Sequence, residues 1–96
     1  PQLHIVTGMV KDKDVQAVLQ LLPKNALYYF TQAPIPRALP VAELAAQANT
    51  IGLNGHSFED VNIALDAAIK NANQQDLILV IGSIFLVAEV DRTNFS

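Results

Sequence analysis

Three short stretches hold the residues able to do chemistry. Gly82-Ser83 follows the apolar run Leu77-Ile78-Leu79-Val80-Ile81. A glycine at the end of such a run lets the backbone turn without a Cβ clash, and free N–H groups at the turn can bind an anion. Ser83 adds a hydroxyl donor, but it is equally suited to cap a following helix. Lys11, Asp12, Lys13 and Asp14 form a charged run just after Leu3-His4-Ile5-Val6-Thr7-Gly8. Either carboxylate suits the positive end of a helix dipole, whereas the lysines gain nothing from it. They either solvate a turn or supply charge to an anionic ligand. Arg37 is the sole charge of Gln32-Ala33-Pro34-Ile35-Pro36-Arg37-Ala38-Leu39-Pro40. Its guanidinium can grip a carboxylate or phosphate with two parallel hydrogen bonds, or tie back to its own loop.

The chemistry absent from the chain narrows the field further. Neither GxxxxGK[ST] nor GxGxxG occurs, so both usual nucleotide signatures are missing. There is no cysteine, and the two histidines, His4 and His56, are far apart with no carboxylate at ligand spacing. A zinc centre or a thiol nucleophile is thereby disfavoured. Ser83 does not sit in GxSxG. A phosphate-receiver domain would need acidic residues where Gly8 and Thr31 stand. No complete active site is present.

The elements that must position these residues follow from periodicity. Leu3–Thr7, Ala26–Thr31 and Leu77–Ile81 are β-rich and predict strands; the last, continuously apolar, predicts a strand buried on both faces. Within the first, His4 reads as a satisfied or solvent-facing residue rather than a ligand. Val15, Val18, Leu19 and Leu22 form a helical stripe that Pro23 stops. Val41, Leu44, Ala45 and Ala48 form a second, opening at Pro40. Val61, Ala64, Leu65, Ala68 and Ile69 form a third, beginning near Asp60 with Ser57 as a rival cap. A short edge strand is expected around His56-Ser57-Phe58, and a short buried helix over Ile84–Val90, with a frayed end from Asp91 to Ser96. Alternation of this kind predicts an α/β, three-layer Rossmann-like domain with a mostly parallel sheet.

Ninety-six residues allow one small domain, and 51% hydrophobic content suffices for a core. The 16% of charged residues is low, leaving apolar surface suited to packing against something else. A net charge of −3 without a basic stretch argues against nucleic acid or an anionic membrane as partner. The longest apolar stretch, Leu77–Ala88, is about half of a bilayer-spanning helix. A cytoplasmic location is the expectation. Opening at Pro1 almost directly on a strand, the chain reads as part of a longer protein.

Val6-Thr7-Gly8-Met9-Val10-Lys11-Asp12-Lys13-Asp14, Thr31 to Leu39, and Asp76 to Ser83 resemble three successive blocks of the folylpolyglutamate synthase/dihydrofolate synthase family. The similarity is to its C-terminal domain, whose fold is shared with the Mur ligases. The resemblance implies one partial C-terminal ligase domain over residues 1–96, truncated on its N-terminal side. The family's Asp-Gly-Ala-His-Asn-Pro segment, with its strand and helix, would precede Pro1. It further implies an ATP-dependent amide ligase that adds L-glutamate to folate or dihydropteroate through an acyl phosphate. ATP and magnesium belong to the full-length enzyme, and its N-terminal domain is the fragment's natural partner. The fragment by itself is expected to bind no cofactor, to be inactive, and either to self-associate or to be marginally stable. Gly82 and Ser83 match the turn that holds the incoming glutamate, Lys13 the lysine near its carboxylate, and Arg37 a loop arginine touching substrate or ATP. No catalytic residue and no metal ligand is expected here. The alternatives are a free-standing α/β small-ligand binding module and a purely structural scaffold.

Overall fold

The computed structural model describes residues 1–11 and 14–82. Its elements run β1 (Leu3–Gly8), α1 (Val15–Gln20), β2 (Leu27–Phe30), α2 (Val41–Thr50), β3 (Gly55–Ser57), α3 (Val61–Asn71) and β4 (Leu77–Gly82). The strands form one sheet in the order β3-β2-β1-β4, and every pair is parallel. The α/β alternation therefore produces the parallel sheet expected of it.

Two cores lie on opposite faces of that sheet. Ile5, Tyr28 and Phe30 pack with Val15 and Leu19 of α1 and with Leu44 and Ala48 of α2. On the other face Val6 and Tyr29 pack with Val61, Ala64, Leu65 and Ala68 of α3. The period-2 alternation of β1 and β2 thus feeds two helical stripes at once, giving three layers. The helix starts are set by side chains. Asp14 accepts from the Ala17 N–H at 3.2 Å, and Asp60 accepts from the Ile63 N–H at 2.9 Å. Asp60, not Ser57, is the cap of α3. The edge strand near His56 is present, shifted back by one residue to Gly55–Ser57.

β4 departs from expectation. The run Leu77–Ile81 predicts burial on both faces, yet Leu77 is 57% and Leu79 38% exposed. Among the described residues β4 pairs with β1 alone, at the sheet's edge. Its alternate residues Ile78 and Val80 pack toward the α3 face, whereas α1 and α2 pack over β1 and β2 on the other. A continuous apolar run records that both faces favour burial; it does not say which neighbours cover them. The expected helix over Ile84–Val90 and the end beyond it lie outside the described residues.

Candidate functional site at the carboxyl edge

Because the four described strands are parallel, the carboxyl ends of β1, β2 and β4 lie on one edge of the sheet. Such an edge is where open α/β sheets hold ligands. β1 and β4 end side by side, with Gly8 in register with Gly82. Gly82 has φ 148°, a conformation that L side chains rarely adopt.

The two longer connections are docked on each other. Val10 and Ala38 form an antiparallel bridge. The Lys11 N–H donates to the Arg37 carbonyl at 2.8 Å, and the Leu39 N–H donates to the Met9 carbonyl at 2.8 Å. Met9, Val10, Ala33, Ala38 and Leu39 are buried, so these segments have a small apolar underside. The proline-rich connection is also closed on itself, with the Ala38 N–H donating to the Ile35 carbonyl at 3.1 Å. Pro40 precedes α2 without a side-chain cap, and the Gln32 side-chain oxygen supplies one by accepting from the Val41 N–H at 2.7 Å. Strand-like backbone pairing therefore gives the irregular stretch a defined shape.

Of the four candidate residues, Gly82 and Arg37 are placed on this edge. Lys13 and Ser83 lie outside the described residues. Lys11 is exposed and stands opposite Arg37, a pairing not foreseen from sequence. The available signal was Val10 and Ala38, two apolar residues set among charges and prolines. Thr7 and Thr31, near the ends of β1 and β2, are fully buried, and their hydroxyls have no hydrogen-bond partner among the described residues.

A second polar group occupies the amino edge. His4 is buried, with Nε2 at 2.8 Å from Asp76 Oδ2 and Nδ1 at 2.9 Å from the Tyr29 hydroxyl. The Asn71 amide donates to the same hydroxyl at 3.3 Å. The backbone N–H groups of Gln2 and Asn73, with His4, hold the Asp76 carboxyl well below the usual carboxylate range. An open cavity of about 170 Å³ lies at this same edge, bordered by Tyr29, Asn54, His56 and Asn71. Both features are remote from the loop cluster along the strand direction. Among the described residues no group of three His, Cys, Asp or Glu converges to hold a metal ion. None of the described helices is long and apolar enough to cross a membrane.

The family model for the Mur ligase, glutamate ligase domain matches residues 1–84. The chain belongs to this family. The chain is 34% identical over 89 residues to the dihydrofolate synthase/folylpolyglutamate synthase of Buchnera aphidicola, covering 92% of this chain and 21% of that protein. E. coli FolC, solved in complex with DHPP and ADP, matches it with TM-score 0.85 at 31% identity, over 100% of this chain and 23% of that one. The bifunctional folylpolyglutamate synthase/dihydrofolate synthase of Yersinia pestis, complexed with AMPPNP and Mn ion, matches with TM-score 0.84 at 28% identity, over 99% and 22%. The resemblance read from the three sequence blocks is borne out. The domain spans about a fifth of the length of these relatives.

Proposed function

We propose that this domain is the amino-acid-presenting part of an ATP-dependent ligase that joins L-glutamate to folate or dihydropteroate. ATP, with magnesium, supplies the phosphoryl group that activates the acceptor carboxylate. No phosphate loop occurs in the chain, so the nucleotide phosphates and metal are assigned to a larger N-terminal domain of the same protein. The role of this chain is to hold glutamate so that its amine meets the activated carboxyl carbon. There the amide C–N bond forms as the C–O bond to phosphate breaks, inorganic phosphate leaves with the electron pair, and the proton lost by the amine passes to water.

The observation that carries the reading is the register of Gly8 with Gly82 at the carboxyl edge. Ser83 directly follows Gly82, and Lys13 lies in the connection that leaves Gly8. An α-carboxylate at this edge would take the N–H groups and hydroxyl of the Gly82-Ser83 turn, with charge from Lys13. Arg37 contributes a contact to substrate or ATP from the docked loop.

Each charge-assisted hydrogen bond contributes ~1.5–3 kcal/mol, or roughly tenfold to over a hundredfold in affinity. In a polypeptide that includes the ATP-binding domain, Ser83→Ala or Lys13→Ala should raise the glutamate KM with folding intact. A serine that only caps a helix predicts a stability loss of ~1 kcal/mol with normal glutamate use. Steady-state kinetics and a thermal melt on the same variants separate the two outcomes. A normal glutamate KM in both variants would overturn the reading.

A further inference from the structure

The connection from β2 to α2 is closed at its base by a side chain. Gln32 Oε1 accepts from the Val41 N–H at 2.7 Å, across nine positions of sequence. A helix usually takes such an acceptor from the residue just before it, where Ser, Thr, Asp or Asn serve best. Pro40 stands there in α2 and offers none. The acceptor therefore comes from the opposite end of the same connection. An N–H can only meet the oxygen of a carboxamide, so its partner fixes the orientation of the Gln32 amide. The positive end of α2 favours the same arrangement.

The clasp joins a rigid base to the docked loops. Thr31, just before Gln32, is fully buried, and its N–H donates to the Thr7 carbonyl at 2.9 Å. Beyond Gln32 the backbone folds on itself. The Ile35 N–H donates to the Ala33 carbonyl at 2.9 Å, and the Ala38 N–H to the Ile35 carbonyl at 3.1 Å. The Arg37 carbonyl and the Leu39 N–H then make the two backbone hydrogen bonds to the connection leaving β1. Gln32 thus sets the separation between the two ends of the segment on which that connection is docked. Asparagine would reach one methylene less far.

We propose that Gln32 is a positioning residue for the glutamate site. It acts through the backbone: its clasp holds the proline-rich connection in the shape that docks on the connection carrying Lys13. The consequence for glutamate rests on the function proposed above, whereas the effect on the loops does not.

The test has two readouts. Amide hydrogen exchange is followed by NMR on the isotope-labelled 96-residue chain. Gln32→Leu removes the acceptor, Gln32→Asn shortens its reach, and Gln32→Glu retains it at a helix end that favours negative charge. In the first two variants the Lys11 and Leu39 amides should exchange about fivefold or more faster, as expected for local opening after loss of a cap. The Thr31 and Ile63 amides, held by β1 and by Asp60, should keep the parent rate, and Gln32→Glu should match the parent throughout. Steady-state kinetics then use a polypeptide that includes the ATP-binding domain. Gln32→Leu and Gln32→Asn should raise the glutamate KM about threefold or more with kcat little changed, and Gln32→Glu should restore it. Unchanged exchange at Lys11 and Leu39 overturns the proposal, as does equal acceleration at Thr31 and Ile63. Faster loop exchange with a normal glutamate KM also overturns the positioning role; a raised KM in Ser83→Ala then leaves the glutamate reading standing.

Discussion

His4 and Asp76, 72 residues apart in sequence, meet with Nε2 at 2.8 Å from Oδ2. An ionised carboxylate can only accept, so the imidazole donates to it through the Nε2–H. The Tyr29 hydroxyl lies 2.9 Å from His4 Nδ1 and also accepts from the Asn71 amide, so it joins β1 to the end of α3. Asp76 in turn accepts from the Gln2 and Asn73 N–H groups, so it ties the start of β1 to the turn that feeds β4.

Acid should release this clamp. The folded Asp76 carboxyl titrates below its unfolded value of about 3.9, so its contribution to stability is present above that pH. It is lost as pH falls from about 5 toward the lowered folded value. Asp76→Asn should flatten the acid limb of a plot of unfolding free energy against pH. An unchanged acid limb would show that the clamp does not contribute. Tyr29→Phe leaves His4 Nδ1 and the Asn71 amide without their shared partner and should cost about 1–3 kcal/mol in urea denaturation.

Gly55 allows β3 to lie against β2. In register with Tyr28, it approaches so closely that a Cβ would overlap the Tyr28 carbonyl. The obstacle is backbone and cannot swing aside. Gly55→Ala is therefore expected to destabilise by about 2–3 kcal/mol, read as a lower urea midpoint. A midpoint within error of the parent would mean that β3 can shift freely.

Leu77 and Leu79 leave an apolar face exposed on β4, which is the edge strand among the described residues, a combination that favours pairing with other chains. This chain should associate in a concentration-dependent way, and Leu79→Lys should suppress it. Sedimentation velocity over a hundredfold concentration range measures both. A parent chain monomeric throughout would remove the expectation.

Among the described residues, the local pattern alone determined which segments are strands and helices, and that the sheet is parallel. Alternating residues of β1 and β2 and the three helical stripes each state which faces favour burial, and that information is short-range. The glycine ending β4 and the charges following β1 likewise marked the end of the strands at which the glutamate site is proposed. What the tertiary structure decided is which element supplies each neighbour. The same apolar run serves a central or an edge strand, and only the order β3-β2-β1-β4 put β4 outermost. Nothing local to His4 announces Asp76, and nothing local to Lys11 announces Arg37. Those pairings arise when the chain closes separations of 72 and 26 residues, and the hydrogen bonds that define them exist only after the sheet has brought the strands together.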